Sequence, residues 1–294
     1  MNPAPSVIIF TVLSGLGFGF LAWLCSGIAT PVGLHGLLGF ALGYGLAVGG
    51  LVASTFHLGQ PKRAWRAFTQ WRSSWLSREA WVAVAALLAV APVALGALWG
   101  REPGLWGLVA AALCLGTVLC TSMIYAQLAT VPRWHHPLVP VTFVLFALAG
   151  GAILLPLPGV AAVLSAGLAA VLAIGFRIGD GRFAGAGSTL ATATGLGGIG
   201  APRVFEQPHT GGNYLTREMI HVVGRRHAAR LRSIAVAGVA LPALILPLLP
   251  SVAGVALALC AHLAGAFAAR WLFFAEAEHV VGLYYGRRPL PEKR

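Results

Sequence analysis

The chain has 294 residues, of which 58% are hydrophobic and 10% charged, and a mean hydropathy of +0.82, which excludes a water-soluble globular domain. Twenty Lys and Arg against eight Asp and Glu give a net charge of +12, but the basic residues sit between long apolar runs, so they point to membrane topology and not to nucleic acid. Cys25, Cys114, Cys120 and Cys260 all fall inside apolar segments without metal-ligand spacing, and no iron–sulfur cluster is expected in this chain.

Stretches of about 20 apolar residues mark bilayer spans. Taken in order they predict helices near 6–27, 33–57, 79–100, 105–127, 138–156, 158–176, 233–250 and 252–283, an all-α bundle of eight transmembrane helices forming one integral membrane domain. The first begins close to Met1 without a basic leader or cleavage pattern, so it reads as a retained helix and no signal peptide is expected. Gly15 with Gly19, Gly39 with Gly43, and Gly45 with Gly49 have the small-residue spacing that lets helices approach closely in lipid. Gly195, Gly197 and Gly200 spell a dinucleotide-like pattern, but no buried strand precedes them and no acidic residue follows at the required distance.

Eight spans place both termini on one side together with the segments 58–78, 128–137 and 177–232. With the tail, that side carries 18 Lys and Arg, against Arg101 alone on the other. The positive-inside rule makes the basic side cytoplasmic. The chain is therefore expected to be a multi-pass protein of the bacterial cytoplasmic membrane, with a cytoplasmic insert at 177–232.

Ionisable residues in or beside spans are costly and tend to be functional, and here they gather at the cytoplasmic end. After His57, the loop alternates Trp65, Trp71 and Trp75 with Lys62, Arg63, Arg66, Arg72 and Arg78 before Glu79 opens the third helix. An ordinary aromatic belt with snorkelling arginines would give a similar pattern. The last helix contributes Arg270, Glu276, Glu278 and His279, with Glu276 and His279 an i,i+3 pair on one face. Reduction of a quinone needs hydrogen-bond donors at the carbonyls and groups that exchange protons, which these residues supply. A charge pair that only locks helices together is the plainer alternative. His35 and His262 lie toward the other face, so His35, His57, His262 and His279 could instead ligate haem b in two pairs, although the 22 residues from His35 to His57 span about 33 Å of helix, long for two stacked haems. Residues 213–232 read as an amphipathic helix with Arg225, Arg226, Arg230 and Arg232 on its basic face, suited either to anionic lipid or to a protein contact.

The run F-H-L-G-Q-P-K-R-A-W at 56–65, S-W-L-S-R-E at 74–79, I-Y-A at 124–126 and P-R-W at 132–134 resembles the membrane anchor subunit of dimethyl sulfoxide reductase and its relatives. The resemblance spans the chain in topology, with its specific motifs in 54–80 and 122–134. It implies an anchor that exchanges electrons between the membrane quinone pool, ubiquinone or menaquinone, and a ferredoxin-like iron–sulfur subunit serving a molybdopterin catalytic subunit. It also implies that His57 and Glu79 belong to the quinone site and that the loop between them lies beneath the iron–sulfur subunit. The insert at 206–219 and the cytoplasmic placement of the His57 end depart from the dimethyl sulfoxide branch and look more like the anchors of cytoplasmic sulfite-oxidising complexes.

The resulting expectation is a quinone pocket bounded by His57, Arg66, Trp75, Arg78, Glu79, Arg270, Glu276, Glu278 and His279. Lys62, Arg63, Arg72, Arg133, Arg225 and Arg226 are expected to dock the partner subunits. The anchor carries the quinone site without catalysing the sulfur chemistry itself. Rival readings are a reductase anchor that oxidises quinol, a di-haem cytochrome b, and a secondary transporter. Against the transporter, the ionisable groups sit at one face and no paired broken helices are evident.

Overall fold

The computed structural model describes residues 1–29, 31–206, 211, 213–215, 219 and 227–285. Among the described residues, seven helices are long and apolar enough to cross a membrane: α1 (Pro5–Cys25), α2 (Gly33–Thr55), α3 (Trp75–Leu98), α4 (Gly104–Ala126), α6 (Pro158–Gly185), α8 (Ala228–Leu248) and α9 (Val252–Ala275). Between them, α5 (Leu138–Ile153) is apolar but has only 16 residues, about 24 Å of rise against a hydrocarbon core of ~30 Å. Its early stop follows from Pro156 and Pro158, which bar the helical conformation from the residues before them, so the expected helix over 138–156 is shortened. A short helix, α7 (Leu190–Thr194), lies in the 177–232 segment; the Thr189 hydroxyl accepts from Thr192 N at 3.2 Å, and Gly195 closes it at φ 71°.

Other expected boundaries also move. Helix α6 runs on to Gly185 instead of stopping near 176, carrying Arg177, Asp180 and Arg182 past the apolar stretch. Helix α8 starts at Ala228, so the last residues of the expected amphipathic helix belong to a membrane helix. The remainder of that expected helix, including Arg225 and Arg226, lies largely outside the described residues. Helix α9 ends at Ala275 rather than near 283; Glu276 is its C-cap, and a 3₁₀ turn follows at Val280–Tyr285.

Helix α1 is the hub. Its buried face carries Phe18, Leu21 and Leu24, which join Phe40, Val90 and Ala147 in one core, while Val12 joins Leu168, Val239 and Leu272 in a second. Close approach depends on glycine. A Cβ on Gly17 would stand 2.3 Å from Ala47 N of α2, and one on Gly19 would stand 1.9 Å from Ala147 O of α5. Of the expected glycine pairs, Gly15, Gly45 and Gly49 meet nothing within 4 Å, so the working contacts are only partly those that the spacing marked. Gly19→Ala is expected to destabilise the protein by ~1–3 kcal/mol, because the neighbour is backbone that cannot swing away. Thermal unfolding in mild detergent should show a clear drop for Gly19→Ala and none for Gly15→Ala; equal midpoints would refute the close packing of α1 on α5.

One end of the bundle gathers the polar segments. The Met1 amine donates to Ala277 O at 2.8 Å, Val280 N donates to Thr130 O at 3.0 Å, and Trp134 Nε1 donates to Phe273 O at 2.8 Å. The start of α3 reaches the same end, where the Thr121 hydroxyl of α4 donates to Glu79.

Candidate functional site

The loop before α3 folds as a 3₁₀ helix over Pro61–Phe68 followed by turns, and Arg78 braces it. Its Nε donates to Trp71 O at 3.0 Å, its Nη2 to Arg72 O at 2.6 Å, and its guanidinium lies 4.4 Å from the centre of the Trp75 ring. Trp81 Nε1 donates to Phe68 O at 2.9 Å and ties the loop to α3. Lys62, Arg63, Arg66 and Arg72 are exposed, as is His57 just beyond α2, while Arg66 and Arg72 lean over Trp65 and Trp71 at 5.7 and 5.4 Å. This makes a basic, aromatic outer surface that offers cations to a partner or to lipid headgroups.

Beneath that surface lies a buried group. Glu79 is 4% exposed and accepts the Thr121 hydroxyl, which sits one turn from Tyr125 on α4. Arg270 on α9 is also 4% exposed, and its guanidinium lies 3.4 Å from the Phe143 ring centre and 5.0 Å from that of Phe146. Tyr125 lies within electrostatic reach of both Glu79 and Arg270 and is walled by Trp134, Phe143, Phe273 and Phe274. Aromatic faces partly replace water around the guanidinium, which is why an arginine is tolerated in this interior.

Glu276 stands at the end of α9 in a four-member charge network. Its carboxylate takes Arg133 Nη2 at 2.5 Å and Arg232 Nε at 2.7 Å, and Asp180 takes the same two arginines at 3.2 and 2.5 Å. The 127–137 loop, α6, α8 and α9 are thereby joined. Because α9 stops before Glu276, the expected i,i+3 helical face of Glu276 and His279 does not form; His279 Nδ1 instead accepts from Val281 N at 3.0 Å within the 3₁₀ turn. Partial burial holds the His279 imidazole below its ordinary pKa. Glu278 lies half-buried between them.

A groove opens between α5, α6 and α9. Phe143, Phe146, Phe176 and Phe273 contribute its aromatic walls, and Arg270, Glu276, Arg133 and His136 contribute polar groups. Burial, and then the charge of Arg182, lower the pKa of His136, and because its Nδ1 already accepts from Leu138 N at 3.2 Å, Nε2 is the ring nitrogen left to donate. The structure thus brings Arg270 and Glu276 of the expected pocket onto one groove, adds Arg133, which was expected only as a docking residue, and leaves His57 and Arg66 on the outer surface, Trp75 and Arg78 in the first turn of α3, and Glu79 buried beside Thr121 outside the groove lining. Thr121, Tyr125, Asp180 and Arg232 escaped sequence reasoning as site residues. The signal available for Asp180 was that it is the only aspartate in the sequence. The four alternative haem ligands have separate surroundings: His35 is exposed on α2, His57 is exposed beyond it, His279 is engaged in its turn, and His262 is buried against Phe146.

The chain is similar over residues 2–275 to the family model of the DMSO reductase anchor subunit (DmsC). It is also 33% identical to a sulfite dehydrogenase subunit of Allochromatium vinosum, over 97% of this chain and 99% of that protein. No solved structure matches.

Proposed function

Because the chain belongs to the DMSO reductase anchor subunit family, we propose that it is the membrane anchor of a molybdopterin oxidoreductase, passing electrons between an iron–sulfur subunit and the quinone pool. The observation that carries this reading is the groove between α5, α6 and α9: apolar and aromatic like a quinone ring, open at the bundle's polar end, and supplied with Arg270, Arg133 and His136 as hydrogen-bond donors. In this reading α5 completes eight crossings, and the basic end faces the cytoplasm as the 18-to-1 charge bias requires.

The electron donor fits sulfite, the substrate after which the Allochromatium vinosum relative is named. Sulfite and water give sulfate, two protons and two electrons; the electrons pass through the partner subunits, and a quinone takes up two electrons and two protons to become quinol. Arg270 polarises a quinone carbonyl and stabilises negative charge as it develops there. Glu79 handles protons, and the exposed loop with Lys62, Arg63, Arg66 and Arg72 receives the iron–sulfur subunit, whose binding also covers His57. His57 then lies where it can bond the quinone or guide its entry, with Trp75, Arg78, Glu278 and His279 shaping the surrounding end of the bundle.

A pull-down of the tagged chain from its native membrane in mild detergent, with mass spectrometry of the captured proteins, tests the assembly. Recovery of a molybdopterin subunit and a ferredoxin-like subunit is the expected result; a chain that comes down alone overturns it. In the assembled complex, His57→Ala is expected to abolish sulfite-dependent reduction of a quinone analogue while leaving assembly intact. Unchanged turnover, or failure of the complex to assemble, removes His57 from the quinone site.

A further inference from the structure

Helices α5 and α6 form a hairpin whose two ends differ. At the turn, Ala152, Ile153 and Ala161 pack in one buried cluster with Leu246 of α8 and Ala258 of α9. Toward the polar end the pair parts, and the groove that carries Arg270 and Glu276 runs between them. Its lining there includes Val139 and Thr142 of α5 and Val171 and Gly175 of α6, all partly exposed. These residues belong to the apolar stretches of two membrane helices, so in the bilayer the space they face is hydrocarbon.

Gly175 sets the width of this opening. On the same face of α6 it is flanked by Val171, one turn deeper, and by Gly179, one turn toward the polar end. At Gly179 the place of a side chain is taken by Arg133, whose Cζ would stand 2.8 Å from a Cβ there. At Gly175 nothing lies within 4 Å of such a Cβ, which leaves a notch between the two helices.

The side toward water is roofed. Arg182 donates from Nε to Pro132 O at 3.3 Å and from Nη2 to His135 O at 2.7 Å, while Arg133 pairs with Asp180 and Glu276 and Trp134 Nε1 donates to Phe273 O. The 132–136 loop is thereby tied to α6 and α9 over the polar end of the groove. What this roof leaves open, among the described residues, is the side between α5 and α6.

A groove that is polar inside and opens into hydrocarbon fits an amphipathic ligand with a compact polar ring and an apolar tail. Charge at the rim narrows the class: Glu276 and Asp180 neutralise Arg133, and two carbonyls engage Arg182, an arrangement for a neutral head and not for a phosphate. We propose that the notch at Gly175 is a lateral portal that seats the isoprenoid tail of a quinone, so that the ring reaches Arg270 directly from the bilayer. The tail then stays among apolar groups throughout, and none of its methylenes is drawn into water. This rests on the quinone reading above and adds the route of entry and the part of the ligand that the notch selects.

The test uses the assembled complex in lipid nanodiscs, titrated with a benzoquinone and a naphthoquinone, each with a short isoprenoid tail and without one. Gly175→Leu fills the notch where no neighbour has to move, and leucine favours the helix more than glycine does. Its Kd for the tailed quinone is expected to rise about tenfold or more, while the tail-less ring binds within about twofold of native; Gly175→Ala should fall between. Affinities that weaken equally for both members of a pair, or for neither, overturn the portal. Labelling needs no variant. A quinone with a photoreactive diazirine near the ring end of its tail is expected to mark residues 138–142 and 171–178, read by peptide mass spectrometry, and to be displaced by the unlabelled tailed quinone. Marks confined to other helices overturn the portal, as does displacement by phosphatidylglycerol and not by quinone, which would make the seat one for a phospholipid. A native complex that binds no member of either pair overturns the quinone reading itself, whereas binding of the tail-less rings alone keeps that reading and removes the portal.

Discussion

Glu276→Gln is expected to destabilise the protein by ~3–5 kcal/mol, whereas Asp180→Asn, which removes the same charge from the same network, should cost only ~0.2–1 kcal/mol. The difference comes from burial. The Glu276 side chain is 6% exposed and neutralises Arg133 and Arg232, whose side chains are 15% and 28% exposed. Glutamine keeps the shape but presents a neutral amide to two desolvated guanidinium groups, which must then share Asp180 alone. Asp180 has a side chain that is 50% exposed, so water already screens its share of the attraction and replaces it when it is lost. Thermal unfolding of the purified chain in detergent would resolve the two variants. Midpoints that fall by similar amounts would show that Glu276 is not what holds the 127–137 loop, α8 and α9 together.

That network also marks where the sequence stops being readable. Long apolar runs located the seven helices of spanning length and the shorter α5 because the requirement is local: a sustained apolar run. Helix ends beyond the apolar stretch obey different causes. Helix α6 continues past residue 176 with Asp180 paired to arginines from two other segments, and helix α9 stops at Ala275 while the chain beyond it turns to set Val280 N on Thr130 O. Both depend on partners more than 40 residues away, which no hydropathy window contains. The same division holds for the site. Glu79, Arg270 and Glu276 were legible because a charge in or beside an apolar helix is conspicuous. Thr121 was not, since a lone threonine in a membrane helix ordinarily bonds its own backbone, and here its single hydroxyl proton is shared between Glu79 and Thr117 O, the latter at 3.0 Å. Which of the charged residues would share a cavity was equally hidden, because that is set by how α4, α5 and α9 pack around α1.

The largest functional effect is expected at Glu79. Glu79→Gln should lower quinone-coupled turnover by about 10²–10⁴-fold, the range for loss of a positioned proton-transfer group, in a complex that still assembles and still binds a quinone analogue. Glutamine is nearly isosteric and retains a carbonyl oxygen for the Thr121 hydroxyl, so the contact between α3 and α4 survives and what disappears is the ability to take and release a proton. Glu79→Asp keeps the acid but withdraws it by one methylene from Thr121, and turnover is expected to be partly retained. Arg270→Gln provides the complementary reading. It removes the cation stacked on Phe143 from the wall of the groove, so analogue binding should weaken along with turnover. Steady-state turnover and analogue titration on the same preparations separate the two roles: loss of rate alone at Glu79 and loss of rate with affinity at Arg270. A Glu79→Gln complex that turns over at the native rate would exclude this carboxyl from proton transfer and leave it as a structural acceptor for Thr121.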